Sequence, residues 1–164
     1  MTKIIILFGV SGCGKSTIGT ALSKKTGIPF FDADDFHPAE NISKMKSGAP
    51  LTDEDRLPWL KALNKKLLQE AKKDGAILAC SALKESYRVI LNKDLTTTPT
   101  WGLLNGSFDF ILQRINSREG HFMPTSLLQS QFDTLEIPDY ALVLDVQQSV
   151  EAIVEEICEN RLDG

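Results

Sequence analysis

The sequence lacks both the positive charge and the long apolar runs on which nucleic-acid-binding and membrane proteins depend. Its 164 residues carry 18 lysines and arginines against 22 aspartates and glutamates, a net charge of −4 at pH 7. Such a chain has no basic field to attract nucleic acid. Its apolar runs are too short for a membrane span, and its start does not resemble a signal peptide. These absences favour a small-molecule partner, no nucleic acid, no membrane and a cytoplasmic location.

Cysteine is also scarce, and neither repeats nor linkers interrupt the chain. Three cysteines, Cys13, Cys80 and Cys158, are odd in number and share no metal-ligand spacing. This predicts reduced thiols in a reducing compartment rather than a disulfide framework or a metal site. The length suits one domain of ordinary size. We therefore expect a single domain over residues 1–164.

Short apolar runs rich in branched residues alternate with longer helical patterns along the chain. This alternation predicts an α/β fold with parallel strands and crossover helices. The five predicted strands are residues 4–8, 30–33, 76–80, 101–104 and 141–146.

The longest helical pattern opens at Asp53 and ends before Asp74-Gly75. Its apolar residues recur three or four positions apart, which is the helical period, and Pro58 is expected in the first turn. Residues 15–26 and 149–162 form two further predicted helices.

Residues 9–16 form a complete G-x-x-x-x-G-K-[ST] motif directly after the first predicted strand. Glycines let consecutive backbone N–H groups turn toward phosphate oxygens, and the lysine adds a mobile positive charge. A glycine-rich turn with an incidental lysine is the alternative, and the strand before the motif and the helix after it argue against it. The pattern predicts a nucleoside triphosphate site with catalytic Lys15, with Ser16 holding Mg²⁺, and with nucleotide contacts from Gly9, Val10, Ser11, Gly12, Cys13, Gly14, Lys15, Ser16 and Thr17.

Acidic residues follow the second predicted strand. Strand alternation would point Asp32 and Asp34 the same way, into the crevice that faces the phosphate loop. Asp32 could then hold the water shell of Mg²⁺, while Asp34 accepts the proton of an attacking hydroxyl. A solvated acidic turn that caps the helix after Pro38 is the alternative. His37 either binds substrate hydroxyls or fixes the turn before Pro38.

An arginine in the first turn of the long helix opposes the helix dipole and needs another reason to be there. A guanidinium group makes paired hydrogen bonds to planar anions, so Arg56 is a candidate for binding a substrate carboxylate. The alternative is a salt bridge from Arg56 to Asp53 or Asp55.

The third predicted strand ends in Cys-Ser-Ala-Leu-Lys, residues 80–84. Ser81 would line the crevice, and Lys84 and Arg88 could reach anionic groups of the substrate. A solvated helix face is an equally good interpretation of Lys84 and Arg88.

The most polar strand-free stretch, residues 116–125, is predicted to be a lid. Arg114 and Arg118 lie four residues apart, and Gly120 could act as a hinge. Folded over the nucleotide, the two arginines could neutralise charge on the transferring phosphoryl group. Surface arginines paired with Glu119 or Asp109 are the alternative.

A GTP-dependent switch is excluded by two missing motifs. No glycine has an aspartate three residues before it, and neither Asn-Lys pair has an aspartate two residues after its lysine, where the guanine-reading N-K-x-D motif requires one. A kinase that acts on a small molecule therefore fits better than a nucleotide-cycling binding module.

Taken together, the motifs resemble those of the gluconokinases, a P-loop family of sugar-acid kinases. The resemblance covers nearly the whole chain and is carried by residues 9–17, 32–38, 41–45 with Gly48, 50–51, 55–56 with 58–60, 80–84 with 87–88, 118–122, 131–132 and 134–136.

The resemblance implies ATP- and Mg²⁺-dependent formation of 6-phospho-D-gluconate from D-gluconate. It further implies a three-layer, shikimate-kinase-like fold with parallel strand order 2-3-1-4-5, and a homodimer as a common assembly. By the same resemblance, Lys15 and Ser16 serve ATP and Mg²⁺, Asp34 serves the substrate hydroxyl, Arg56 serves the gluconate carboxylate, and Arg114 and Arg118 serve the lid. A kinase of the same fold for shikimate or a nucleoside monophosphate is the alternative. Gly102 weakens the fourth predicted strand and leaves its boundary open.

Overall fold

In the computed structural model, which describes residues 3–117 and 124–160, five strands pair in one parallel sheet. The order β2-β3-β1-β4-β5 is the one that the resemblance implied. The strands are β1 (Ile4–Phe8), β2 (Phe30–Asp32), β3 (Ala76–Ala79), β4 (Thr100–Asn105) and β5 (Leu142–Asp145). Gly102 lies inside β4, where an added Cβ would come within 3.2 Å of Leu144 and 3.3 Å of Leu7, so a small residue suits this place.

Helices connect the strands and cover both faces of the sheet. They are α1 (Lys15–Thr26), α2 (Ala39–Lys46), α3 (Asp53–Ala71), α4 (Glu85–Asn92), α5 (Phe108–Asn116), α6 (Thr125–Thr134) and α7 (Val150–Asn160), with a 3₁₀ helix at Ala33–Phe36. The predicted bounds of α1 are confirmed. No helix among the described residues is long and apolar enough to cross a membrane.

The position predicted for Pro58 is wrong. A capping box starts α3 at Asp53: Thr52 Oγ1 accepts from Asp55 N at 3.1 Å, and Asp55 Oδ2 accepts from Thr52 N at 2.9 Å. Pro58 is therefore the sixth residue of α3, beyond the first turn. A proline there leaves the carbonyl of Glu54 without its helical donor.

Every residue of β1 is buried, because helices cover both faces of this central strand. Ile5 and Leu7 pack on one face with α1, α5, α6 and α7. Ile4, Ile6 and Phe8 pack on the other face with α3 and α4. The three-layer arrangement is thereby confirmed.

The register of the parallel strands determines where the loops meet. Ala79 of β3 is level with Leu7 of β1 and with Asp32 of β2. The backbone N–H of Gly9 then donates to the carbonyl of Ser81 at 3.2 Å. The loops after β1, β2 and β3 consequently share one edge of the sheet, the edge at which open α/β sheets bind ligands.

Candidate active site

The phosphate loop requires glycine at three positions. Gly9, Gly12 and Gly14 have φ angles of 143°, 80° and 101°, values that L side chains rarely adopt. Lys15 Nζ lies back over the loop and donates to the carbonyls of Gly9 and Val10, both at 3.0 Å. Because α1 begins at Lys15, the positive end of its dipole also points at the loop. The arrangement is suited to holding the phosphates of a nucleotide.

Asp32 and Asp34, the acid pair, lie beside the phosphate loop, although for a different reason from the one predicted. Strand β2 ends at Asp32 rather than at Ala33, because Asp32 Oδ1 accepts from Asp34 N at 3.0 Å and caps the 3₁₀ helix. Asp34 therefore belongs to a helical turn, so strand alternation is the wrong reason for its direction. Asp32 Oδ2 accepts from Ser16 Oγ at 3.2 Å. Asp34 lines one cavity together with phosphate-loop residues, including Lys15 and Ser16.

The surroundings of Asp34 make its carboxylate more basic than usual. Burial raises its pKa above the ordinary value of 3.8, and the neighbouring Asp32 charge adds to the rise. His37 and Lys15 act in the opposite direction. A carboxylate of raised pKa is chemically suited to accepting a proton.

His37 is held mainly by packing. Its ring stacks on that of Trp59 with centroids 4.2 Å apart and 12° between planes. Its Nδ1 lies 3.3 Å from Asn41 Nδ2. Burial lowers the pKa of His37, with Arg56 adding to the decrease and Asp34 opposing it. This geometry favours the role of fixing the turn before Pro38, and contact with substrate hydroxyls stays a prediction.

A second cavity shares Ser11 of the phosphate loop with the cavity that Asp34 lines. Its lining includes Ser11, Arg56, Ser81, Lys84, Tyr87 and Gln131. These residues come from five separate parts of the chain: the phosphate loop, α3, the loop after β3, α4 and α6.

Two cations of this second cavity share one counter-ion. Asp53 carboxylate oxygens lie 3.7 Å from Arg56 Nη1 and 3.5 Å from Lys84 Nζ, and one of them accepts from Tyr87 Oη at 2.6 Å. The Tyr87 hydrogen bond is the main reason why the pKa of Asp53 is lowered, with Lys84 and Arg56 contributing. The predicted Arg56–Asp53 pair is present, but it is long and Asp53 is 62% exposed. Such a pair contributes little, which leaves Arg56 available to a planar anion.

Arg88 contradicts both interpretations made from the sequence. Its side chain is fully buried. Nε donates to the carbonyl of Ala82 at 2.9 Å, Nη2 donates to the carbonyls of Leu83 (3.0 Å) and Glu136, and Nη1 pairs with Glu85 at 3.1 Å. Its donors are thus used inside the protein, neither on a substrate nor in solvent. Arg88 stabilises the turn that carries Ser81 and Lys84, in which Ala82 has a φ of 39°.

Arg114 lies against the other side of the phosphate loop. Its Nη1 donates to the carbonyl of Cys13 at 3.4 Å and its Nη2 to that of Val146 at 3.1 Å. It lines a further cavity with Gly14, Thr17 and other residues. Arg118, Gly120 and most of the predicted lid lie outside the described residues, so the lid stays a prediction.

The roles of three residues at the site were not predicted from the sequence. Asp53 is interpreted there only as a helix-opening acid or a partner for Arg56, whereas it also neutralises Lys84. Tyr87 and Gln131 occur within the recognised motifs, but neither was given a role. Gln131 contacts Ser11 across 120 positions of the chain, a distance at which no local pattern gives a signal.

The sheet order, the phosphate loop and the facing acid pair together define a P-loop kinase of small molecules. A sequence model of the shikimate kinase family matches residues 11–160. A probable gluconokinase of Xenopus tropicalis is 43% identical over 94% of this chain and 90% of its own. The thermosensitive gluconokinase of Escherichia coli (strain K12) is 48% identical over 81% of this chain and 71% of its own.

Solved structures agree with the sequence comparisons. A gluconokinase from Sinorhizobium meliloti 1021 superposes with a TM-score of 0.84 at 44% identity, covering 93% of this chain and 87% of that one. Shikimate kinase from Aquifex aeolicus, at 18% identity and a TM-score of 0.60, shares the fold alone. The chain belongs to the gluconokinase family.

The contrast between Arg88 and Lys84 can be tested by paired substitutions. Arg88→Met removes the guanidinium donors to three backbone carbonyls and the ion pair with Glu85, so the free energy of unfolding should fall by about 3 kcal/mol or more. Lys84→Met breaks a partly exposed ion pair and a distant contact with the Tyr87 ring, and it should change the free energy of unfolding by less than about 1 kcal/mol. Urea unfolding of both variants measures the difference. Equal losses would contradict the assignment of Arg88 to the scaffold.

Proposed function

We propose that this protein transfers the γ-phosphoryl group of ATP to the 6-hydroxyl of D-gluconate, forming 6-phospho-D-gluconate and ADP. The observation that carries the proposal is the placement of Asp34 beside Lys15 on the phosphate loop, next to a cavity lined by Arg56 and Lys84. Two cations at such a cavity suit an acceptor that carries a carboxylate. Membership of the gluconokinase family supports the choice of gluconate.

On the donor side, the phosphate loop holds the triphosphate, and Lys15 moves from the loop carbonyls to the phosphates. Ser16 Oγ and Asp32 Oδ2, which lie 3.2 Å apart, are hard oxygen donors that suit Mg²⁺. That ion is usually bound by one or two protein oxygens together with phosphates and water, so these two side chains are sufficient. When bound, Mg²⁺ would neutralise charge on the β- and γ-phosphates.

On the acceptor side, Arg56 and Lys84 bind the gluconate carboxylate and so present the far end of the chain to Asp34. Ser81 and His37 are proposed to contact its hydroxyls. Asp34 orients the 6-hydroxyl and accepts its proton as the oxygen bonds to the γ-phosphorus and the bond from ADP to that phosphorus breaks. Arg114 and Arg118 are proposed to stabilise the charge that develops on the transferring group.

A substrate panel tests the proposal against the other kinases of this fold. ADP release with Mg²⁺-ATP should be fastest with D-gluconate and slow with shikimate, other sugar acids and nucleoside monophosphates. A higher kcat/KM for shikimate or a nucleotide would overturn the choice of acceptor. No release with any of them would overturn the kinase assignment itself.

Asp34→Asn should separate catalysis from stability. Without a base, kcat should fall by about 10²-fold or more, while ATP affinity is nearly unchanged. Because the folded-state pKa of Asp34 is raised, its ionisation destabilises the folded protein at neutral pH, and this cost disappears below the unfolded pKa of about 3.8. The variant should therefore be more stable than the wild type at pH 7, with the gain lost toward pH 3.

Asp35→Asn is the matched control for this prediction, since Asp35 lies in the same 3₁₀ helix. It should retain kcat within a few-fold. If Asp35→Asn loses kcat and Asp34→Asn does not, the base has been assigned to the wrong residue.

Arg56→Ala should weaken the use of gluconate specifically. Loss of the guanidinium partner of a carboxylate should lower gluconate kcat/KM by an amount that corresponds to about 2–4 kcal/mol of activation free energy. The KM for ATP should change little. Arg56→Lys keeps the positive charge but cannot make the paired hydrogen bonds of a guanidinium group, so its gluconate kcat/KM should be intermediate. Sorbitol, which lacks the carboxylate, should react slowly, and its rate should be insensitive to both changes. A raised KM for ATP would instead place Arg56 on the nucleotide side.

A further inference from the structure

Gln131 connects helix α6 to the phosphate loop through both ends of its amide. Its Oε1 accepts from the backbone N–H of Ser11 at 2.7 Å, and its Nε2 donates to Ser11 Oγ at 3.1 Å. The two hydrogen bonds fix both the direction and the position of Ser11. Gln131 is also part of the lining of the cavity proposed for the acceptor.

The helix that carries Gln131 is itself firmly held. Leu128 is completely buried in the core on the α1 side of the sheet, and the ring of Phe132 packs edge-on against Phe108 with centroids 5.8 Å apart. An amide mounted on such a helix can act as a fixed reference point for the phosphate loop.

The segment that follows α6 is attached to the opposite wall of the acceptor cavity. Glu136 Oε1 accepts from the backbone N–H of Glu85 at 2.7 Å, and the Glu136 N–H donates to the carbonyl of Leu83 at 2.8 Å. These contacts hold the start of α4, at which Lys84 is the N-cap residue. Residues 131–136 therefore bridge the phosphate loop and the wall that carries Lys84.

We propose that Gln131 is a positioning residue for phosphoryl transfer, which holds the phosphate loop at a fixed distance from the acceptor wall without binding either substrate. The proposal rests on the proposed function. Ser11 follows directly after Gly9 and Val10, whose carbonyls hold Lys15 Nζ, so a displaced Ser11 would carry those contacts with it. Misplacement of reacting groups by about 1 Å can cost about 10²-fold in rate.

The test compares Gln131→Met with Gln129→Met. The first keeps side-chain length and removes both hydrogen bonds to Ser11. The second is a matched control on the same helix, where the exposed Gln129 amide bonds only to Asp133 among the described contacts, at 2.8 Å. We expect kcat to fall about 10- to 100-fold in Gln131→Met, with the KM for gluconate and for ATP within about threefold, and to stay unchanged in Gln129→Met.

Ser11→Ala provides a second route that leaves α6 intact, should Gln131→Met fold poorly. It removes one of the two hydrogen bonds and should lower kcat several-fold. Added to Gln131→Met, it should cause little further loss, because the partner is already gone. Additive losses in the double variant would overturn the coupling between the two residues.

Amide hydrogen exchange of Ser11 in the nucleotide-free protein gives a readout that needs no acceptor. Exchange should be slow in the wild type and in Gln129→Met, and faster in Gln131→Met. Wild-type kcat in Gln131→Met, or a raised gluconate KM at constant kcat, would overturn the proposal. If the substrate panel identifies another acceptor, the proposed function fails, while the exchange test of Gln131 is unchanged and its kcat test is carried out with that acceptor.

Discussion

The register of three parallel strands is the constraint on which the site depends. Because Leu7, Ala79 and Asp32 are level across β1, β3 and β2, the phosphate loop, the turn at Ser81 and the acid pair meet at one edge of the sheet. Asp32 then performs two local tasks, since one of its oxygens caps the 3₁₀ helix that carries Asp34 and the other accepts from Ser16. Shifting β2 by one residue would turn Asp32 to the opposite face and separate the acids from the nucleotide site.

Three arginines near the site have different environments, and burial separates their roles. Arg88 is enclosed and bonded to backbone carbonyls, so its charge serves the scaffold. Arg56 faces a cavity, and its contacts among the described residues are a long ion pair with Asp53 and the hydroxyl and ring of Tyr87, so it can exchange them for a substrate carboxylate. Arg114 bonds to carbonyls beside the phosphate loop, close to where a nucleotide would be held. In the sequence all three are arginines of the same charge, and their spacing does not show which of them is buried.

Local patterns predicted the fold well, because apolar runs and helix-ending signals act over a few residues. The strand order followed from the resemblance, not from the runs themselves. Errors arose where a side chain overrides the backbone pattern, as when Asp32 ends β2 early or the Thr52–Asp55 capping box places Pro58 in the second turn. Contacts such as Gln131 with Ser11 depend on tertiary packing, which a single sequence does not record.

The position of the phosphoryl group on the product tests the central claim most directly. If Arg56 and Lys84 hold the carboxylate end of gluconate and Asp34 acts at the other end of the molecule, the phosphoryl group goes to the primary hydroxyl. A proton-coupled ³¹P NMR spectrum of the product from ATP and D-gluconate should then show the phosphate ester as a triplet, split by the two protons on carbon 6. A doublet, which indicates transfer to a secondary hydroxyl, or no new ester signal beside ADP would contradict the proposed geometry.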